Sequence, residues 1–232
     1  MGSITGFCNG LYYEIAGDGH PLVLIHGGLV NSGLWDDQFE VFAASYRTLR
    51  YDVRGFGKSK SPAAYYSNHG DLRDLLDDLG IEQAYVLGLS MGGAIAIDFT
   101  LAYSNRVAAV LPIAAGLSGY RTTTNSALRD ELNAAYERGD KERAVELSLQ
   151  MWTDGPHRTP DQVDPSVRER IRAMTAHTGS HREQGRYAIG IAQREVDGNR
   201  AAHREAQHIG ARYSEKIQQV PEITVIGVIS GG

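Results

Sequence analysis

Five residues, Gly88-Leu89-Ser90-Met91-Gly92, have the types and spacing for nucleophilic chemistry. A serine with glycines two residues before and two after it forms a G-x-S-x-G pattern. Its chemistry is attack on a carbonyl carbon, the serine oxygen carrying the acyl group until water removes it. Glycine and serine are common in this chain, so a glycine-rich turn that happens to hold a serine would read the same. The flanking residues separate the two readings. Ala84-Tyr85-Val86-Leu87 is a short apolar run with β-branched and aromatic character, and Gly93 to Leu101 is rich in small and apolar residues. Strand, abrupt turn, helix is the setting of a nucleophile elbow, which strains the serine backbone and lifts its hydroxyl clear of the sheet. Side chains at 88 and 92 would collide in such a turn, and both positions are glycine.

A serine of this kind needs donors for the charge that develops on the carbonyl oxygen. Pro21-Leu22-Val23-Leu24-Ile25 is a continuous apolar run of the sort buried on both faces of a parallel sheet. It ends in His26-Gly27-Gly28-Leu29, where the glycines let the backbone approach a ligand closely. The amide of Gly28 is the expected donor, partnered by the amide of Met91 just after the serine. Leu29 beside it is an expected substrate contact. His26 is read as structural, hydrogen-bonding the loop into shape, because a base here would sit on the wrong side of the serine.

These loops must be carried by a regular frame. Ile4 to Cys8 and Leu11 to Ile15 flank Asn9-Gly10 and predict a β-hairpin. A helix is expected to start near Leu34-Trp35. Tyr46 to Tyr51 predicts the next strand, followed by Asp52-Val53-Arg54-Gly55-Phe56-Gly57-Lys58-Ser59. That segment reads as a structured turn braced by Asp52 and Arg54, and its glycine spacing is wrong for a phosphate loop. Leu72, Leu75, Leu76 and Leu79 recur at helical spacing over 71–79, and Gly80 ends the helix. Val107 to Ala114 predicts another buried strand. Strands and helices alternate with connections long enough for parallel crossovers, so the expected fold class is α/β with a doubly wound, mostly parallel sheet.

From about Gly10 to Ala115 the chain resembles the α/β-hydrolase superfamily. His26-Gly27-Gly28, Asp52-x-Arg54-Gly55-x-Gly57-x-Ser59 and Gly88-x-Ser90-x-Gly92-Gly93 stand in that family's order and spacing. The likeness is to small carboxylesterase, lactonase and peroxidase-like members with a helical cap. It implies a core at 1–118 and 217–232 and a cap with connecting helices at 119–216. Leu128 to Tyr136, Lys141 to Met151 and Pro165 to Met174 read as the cap helices, broken at Asp154-Gly155-Pro156 and Thr159-Pro160. Such a cap would roof Ser90. Trp152 is the expected pocket wall, against an equal expectation of ordinary packing between cap helices.

The family's chain order is serine, then acid, then histidine. The acid would follow the strand expected at Ile223 to Ile229, and no Asp or Glu stands there. No histidine follows His208, and the other acid position, Ala115-Gly116-Leu117, is also empty. The C-terminal strand and helix of the family are therefore expected to be missing. One reading is a truncated or frameshifted form of a longer hydrolase. A second is a base from an unusual place, such as His157, His203 or His208. A third is a hydrolase-fold protein that binds a ligand without turning it over. His177, His181, His203 and His208 lie in a stretch of poor apolar periodicity, without HExxH or another tight ligand spacing, and predict a solvated surface and no metal.

With 232 residues, 42% hydrophobic and 22% charged, the chain can bury one large α/β core. A net charge of −5 gives no electrostatic footprint for nucleic acid or an anionic membrane. No apolar run approaches a membrane span. The single cysteine, Cys8, excludes an internal disulfide and reads as a small buried hydrophobe. The expected protein is a cytoplasmic, cofactor-free serine hydrolase of a small carboxylic ester or lactone. Perhydrolase or haloperoxidase-like activity at the same serine is the alternative enzyme reading. Loss of the last strand would leave a sheet edge through which copies could associate.

Overall fold

In a computed structural model of the chain, the described residues are 2–61, 66–115 and 126–177. Strand β1 (Ile4–Cys8) and β2 (Leu11–Ala16) form the hairpin expected around Asn9-Gly10, and both turn residues have positive φ, at 48° and 83°. This is the twist a two-residue hairpin turn requires. Strand β3 (His20–Ile25) follows, then a short 3₁₀ turn at Ser32–Trp35 and helix α1 (Asp36–Ala43). Next come β4 (Tyr46–Tyr51), α2 (Asn68–Asp78), β5 (Ala84–Leu89), α3 (Met91–Ala102) and β6 (Val107–Ile113).

The described strands form one sheet in the order β1-β2-β4-β3-β5-β6. The first two pairings are antiparallel, and β4, β3, β5 and β6 run parallel. Alternation along β3 shows why its sequence is continuously apolar. Val23 and Ile25 enter a layer with Leu72, Leu75 and Leu76 of α2 and Ile95 and Phe99 of α3. Leu22 and Leu24 enter the opposite layer with Trp35 and Phe39 of the α1 side. Helices thus cover both faces, which is what a doubly wound parallel sheet needs.

Helix α2 begins earlier than its leucine spacing indicates, because Ser67 caps it: Ser67 Oγ accepts from the Gly70 amide at 3.2 Å. Strand β6 is present but is not the buried strand expected. It is the last strand among the described residues, and Leu111 and Ile113 are 39% and 44% exposed. Apolar composition reports what a strand can pack against, not whether a neighbour is there.

Residues 126–177 supply α4 (Ser126–Arg138), α5 (Lys141–Leu149), a π-helical turn at Gln150–Asp154 and α6 (Pro165–His177). Leu132, Ala135, Ala144 and Leu147 form a small separate core between α4 and α5. The strand expected at 223–229, and the expectations for His181, His203 and His208, lie outside the described residues.

Candidate active site

Strand β5 ends at Leu89 and α3 begins at Met91, so Ser90 alone makes the turn between them. Its φ is 52° and its ψ −110°, outside every region an L-residue adopts freely. Two backbone bonds hold it there. The Ser90 amide donates to Ile113 O at the end of β6, 2.8 Å away, and Ser90 O accepts from the Ala94 amide at 3.1 Å. The side chain is half-buried rather than packed away.

The flanking glycines are steric necessities. A Cβ on Gly88 would lie 2.1 Å from Gly92 O, and one on Gly92 would lie 2.3 Å from Ile25 O. Both obstacles are backbone and cannot step aside. Gly92 also explains how the elbow meets the neighbouring loop, since its second obstacle is His26 O, at 2.6 Å.

That loop runs alongside Ser90. A Cβ on Gly27 would lie 3.8 Å from Ser90 Cβ, and one on Gly28 would lie 4.0 Å from Met91 Cβ. Met91 opens α3, so its N–H has no acceptor within the helix and stands at the positive end of the helix dipole. Leu29 is held at φ 68°, a left-handed conformation that is rare outside glycine and asparagine. The structure therefore brings Ser90, Met91, Gly28 and Leu29 together at the carboxyl ends of β3 and β5, where open α/β sheets place ligands.

His26 is fully buried and both ring nitrogens are used. Nε2 accepts from the Val53 amide at 2.9 Å, which leaves Nδ1 as the donor to Gly27 O at 2.7 Å. Burial pushes its pKa below the ordinary histidine value, against opposing pulls from Gly27 O and Asp52. It is a neutral brace of the loop. Asp52 is equally built in: Oδ1 accepts from the Ser32 amide at 2.8 Å and Oδ2 from the Lys58 amide at 2.7 Å. Arg54 pairs with Asp71 at 2.7 Å. Both brace the turn after β4, as their spacing suggests.

Among the described residues no histidine or carboxylate is hydrogen-bonded to Ser90 Oγ. His157 is exposed on the segment after the π-helical turn. Trp152, in that turn, is 62% exposed. At the end of β6, Ala114 has φ 46° and Ala115 closes on the elbow, its Cβ 2.8 Å from where a Gly93 Cβ would stand. Sequence reasoning missed the part played by β6 here, because a carbonyl that takes the Ser90 amide leaves no mark in residue type.

The family model described as the α/β hydrolase fold matches residues 20–156, more than half of the chain, and the chain belongs to that family. Among curated relatives it is 41% identical over 86 residues to a Synechocystis protein named "Putative non-heme chloroperoxidase", a match covering 35% of this chain and 31% of that protein. It is 33% identical over 94 residues to carboxylesterase YbfK of Bacillus subtilis, covering 39% of this chain and 32% of that protein. The match thus spans about a third of each of these relatives. Among solved structures, a hydrolase from Pseudomonas aeruginosa PA01 superposes with TM-score 0.66 at 26% identity, covering 80% of this chain and 71% of the other. The enol-lactonase of Burkholderia xenovorans LB400 superposes with TM-score 0.67 at 24% identity, covering 82% and 74%, and shares the fold.

Proposed function

We propose that this chain is a serine hydrolase acting on a small carboxylic ester or lactone through an acyl-enzyme at Ser90. The observation that carries the reading is the backbone of Ser90, a strained non-glycine residue standing alone between a parallel strand and the helix that follows it. Strain of about 1–3 kcal/mol persists where the surrounding structure over-determines it, and such positions cluster at active sites. The names of the Bacillus carboxylesterase and the Burkholderia enol-lactonase support the choice of ester or lactone.

In this reading Ser90 Oγ attacks the carbonyl carbon and its proton passes to a general base. Negative charge on the carbonyl oxygen is met by the amides of Gly28 and Met91. Collapse expels the alcohol, which takes a proton from the base, and water then releases the acid by the same steps in reverse order. Loss of one such donor costs about 10²–10³ in kcat. Leu29 and Trp152 contact the substrate. The base has three candidates in the sequence, His157, His203 and His208. The lone cysteine fits a cytoplasmic protein. The outer edge of β6, unpaired among the described residues, supports self-association, which sedimentation velocity tests.

A fluorophosphonate probe tests the central assignment. The expected result is one probe per chain on Ser90, and none in Ser90→Ala. Absence of labelling alongside measurable affinity for an ester or lactone would instead support a ligand-binding protein on this scaffold. Release of the acyl group from the same serine by hydrogen peroxide, giving a peracid that oxidises halide, would favour the peroxidase-like reading, to which the Synechocystis relative's name points.

A further inference from the structure

Two rows of side chains run along α6. Arg168 and Arg172 form one, Arg170 and Met174 the other. Two residues of offset turn a helix by about 200°, so the rows lie on nearly opposite faces. The first row is tied to the cap itself. Arg168 pairs with Glu146 and with Asp154, and Arg172 pairs with Glu146 at 2.7 Å. The second row reaches the core. Arg170 Nη2 donates to Asp37 Oδ2 in the first turn of α1, at 2.8 Å. Met174 is buried, with its Sδ 3.5 Å from the point a Cβ on Gly33 would occupy.

Gly33 sits in the Ser32–Trp35 turn, which begins three residues after Leu29. The turn is stiff. Asn31 Oδ1 accepts from the Gly33 amide at 2.9 Å, the Ser32 amide donates to Asp52, and Arg50 Nη1 donates to Ser32 O at 3.3 Å. A load placed on Gly33 is therefore passed to the chain on either side of it. One of those sides is the His26–Leu29 loop.

We infer that α6 is a strut coupling the cap to the loop that carries Gly28, with Arg170 and Met174 as positioning residues. The inference rests on the reading of Gly28 and Met91 as the donor pair. Arg170 and Met174 act through the turn: Met174 supplies the hold by burying its thioether against Gly33, and the Arg170–Asp37 pair sets the direction in which the helix lies. The Asp37 carboxylate is 62% exposed and in contact with water, so the pair's share is small, and the buried methionine carries most of the effect.

Amide hydrogen exchange over 26–35 reads the loop directly, without any need for turnover. Exchange there is expected to rise about tenfold in Met174→Ala and about two- to fivefold in Arg170→Asp, while 84–89 of β5 stays at the wild-type rate. The double variant Asp37→Arg with Arg170→Asp restores the pair with its charges exchanged and is expected to return the loop to wild-type exchange. In parallel, fluorophosphonate labelling of Ser90 is expected to lose rate at saturation with unchanged probe affinity, and to recover in the double variant. Loop exchange that stays at the wild-type rate in both single variants overturns the strut, as does a double variant no better than Arg170→Asp. If the wild type takes no label but the exchange pattern holds, the hydrolase reading fails and the mechanical coupling stands.

Discussion

The elbow and the group of helices α4–α6 are held together by different means. Around Ser90 the contacts are backbone on backbone: Gly88 against Gly92 O, Gly92 against Ile25 O, the Ser90 amide on Ile113 O. Among α4, α5 and α6 ion pairs do the fastening: Arg168 with Asp154 and Glu146, Arg172 with Glu146, Arg143 with Glu131. Backbone packing tolerates no added atom, and it is indifferent to charge. Ion pairs tolerate shape changes nearby and respond to charge and pH. The two regions should therefore fail under different perturbations.

The largest expected effect is in the elbow. Gly92→Ala puts a methyl 2.3 Å from Ile25 O and 2.6 Å from His26 O, and neither strand end can retreat without breaking the sheet. We expect a loss of about 3 kcal/mol or more, read as a fall in the urea midpoint or as failure to accumulate folded protein. A variant as stable as wild type would show that the elbow has slack and that the comparison is wrong.

Comparable in size but confined to α5, α6 and the turn between them is Arg168→Met. Asp154 is 1% exposed, and losing its guanidinium partner leaves a carboxylate buried and unpaired. Breaking a buried pair from one side costs about 3–5 kcal/mol. Hydrogen exchange should speed up over 141–177, while β3 and β5 keep their protection. Equal loss of protection in both regions would mean that the sheet and helices α4–α6 unfold as one unit.

Falling pH separates the regions by their titrating groups. His26 is buried neutral, with its pKa lowered by burial, so the unfolded chain takes up the proton first. Its contribution is intact above the unfolded value of about 6.5 and is lost as pH falls below it. The Glu146 carboxyl is held below its ordinary value by hydrogen bonding to Arg168, against burial and with further help from Arg172. That contribution is intact above about 4.3 and is lost only as pH falls through the depressed folded value. Between pH 6.5 and 4.5 the stability of the sheet core should therefore decline while protection factors over 141–177 stay level. The reverse order would overturn the roles given to His26 and Glu146.

How much of this was legible in the sequence follows from the same contrast. Backbone collisions leave glycines at fixed spacing, so Gly88, Gly92 and the His26-Gly27-Gly28 loop could be read directly, and the strands that carry them followed from apolar runs. Asp52 and Arg54 were legible as braces because they sit among the glycines of one turn. Ion pairs between distant segments leave no such spacing. Arg168 meets Glu146 and Asp154 across 22 and 14 residues, and Arg170 meets Asp37 across 133. The i, i+4 spacing of Arg168 and Arg172 puts both on one helix face, but nothing in the sequence chooses their partners. The exposure of β6 was hidden for a related reason, since a strand's composition is silent about its neighbour.

Smaller effects sharpen the comparison at single residues. Ser90→Gly relieves a φ of 52° without removing a packing group, and should stabilise the fold by about 1 kcal/mol while abolishing fluorophosphonate labelling. A destabilised Ser90→Gly would mean that the serine side chain, and not its backbone, is what the elbow needs.

Gly139 is the counterpart of Gly92 among helices α4–α6. It closes α4 with a φ of 71°, its amide donating to Tyr136 O at 3.1 Å, and a Cβ built on it meets nothing within 4 Å. The demand there is conformational only, and asparagine meets it better than most residues. Gly139→Asn should cost less than about 1 kcal/mol in the urea midpoint. Gly92→Asn should prevent folding, because its obstacle is space and no choice of side chain removes it. If the two substitutions cost the same, the elbow has room for a side chain at position 92, and the close approach of Ile25 O to α3 is not what fixes the position of Ser90.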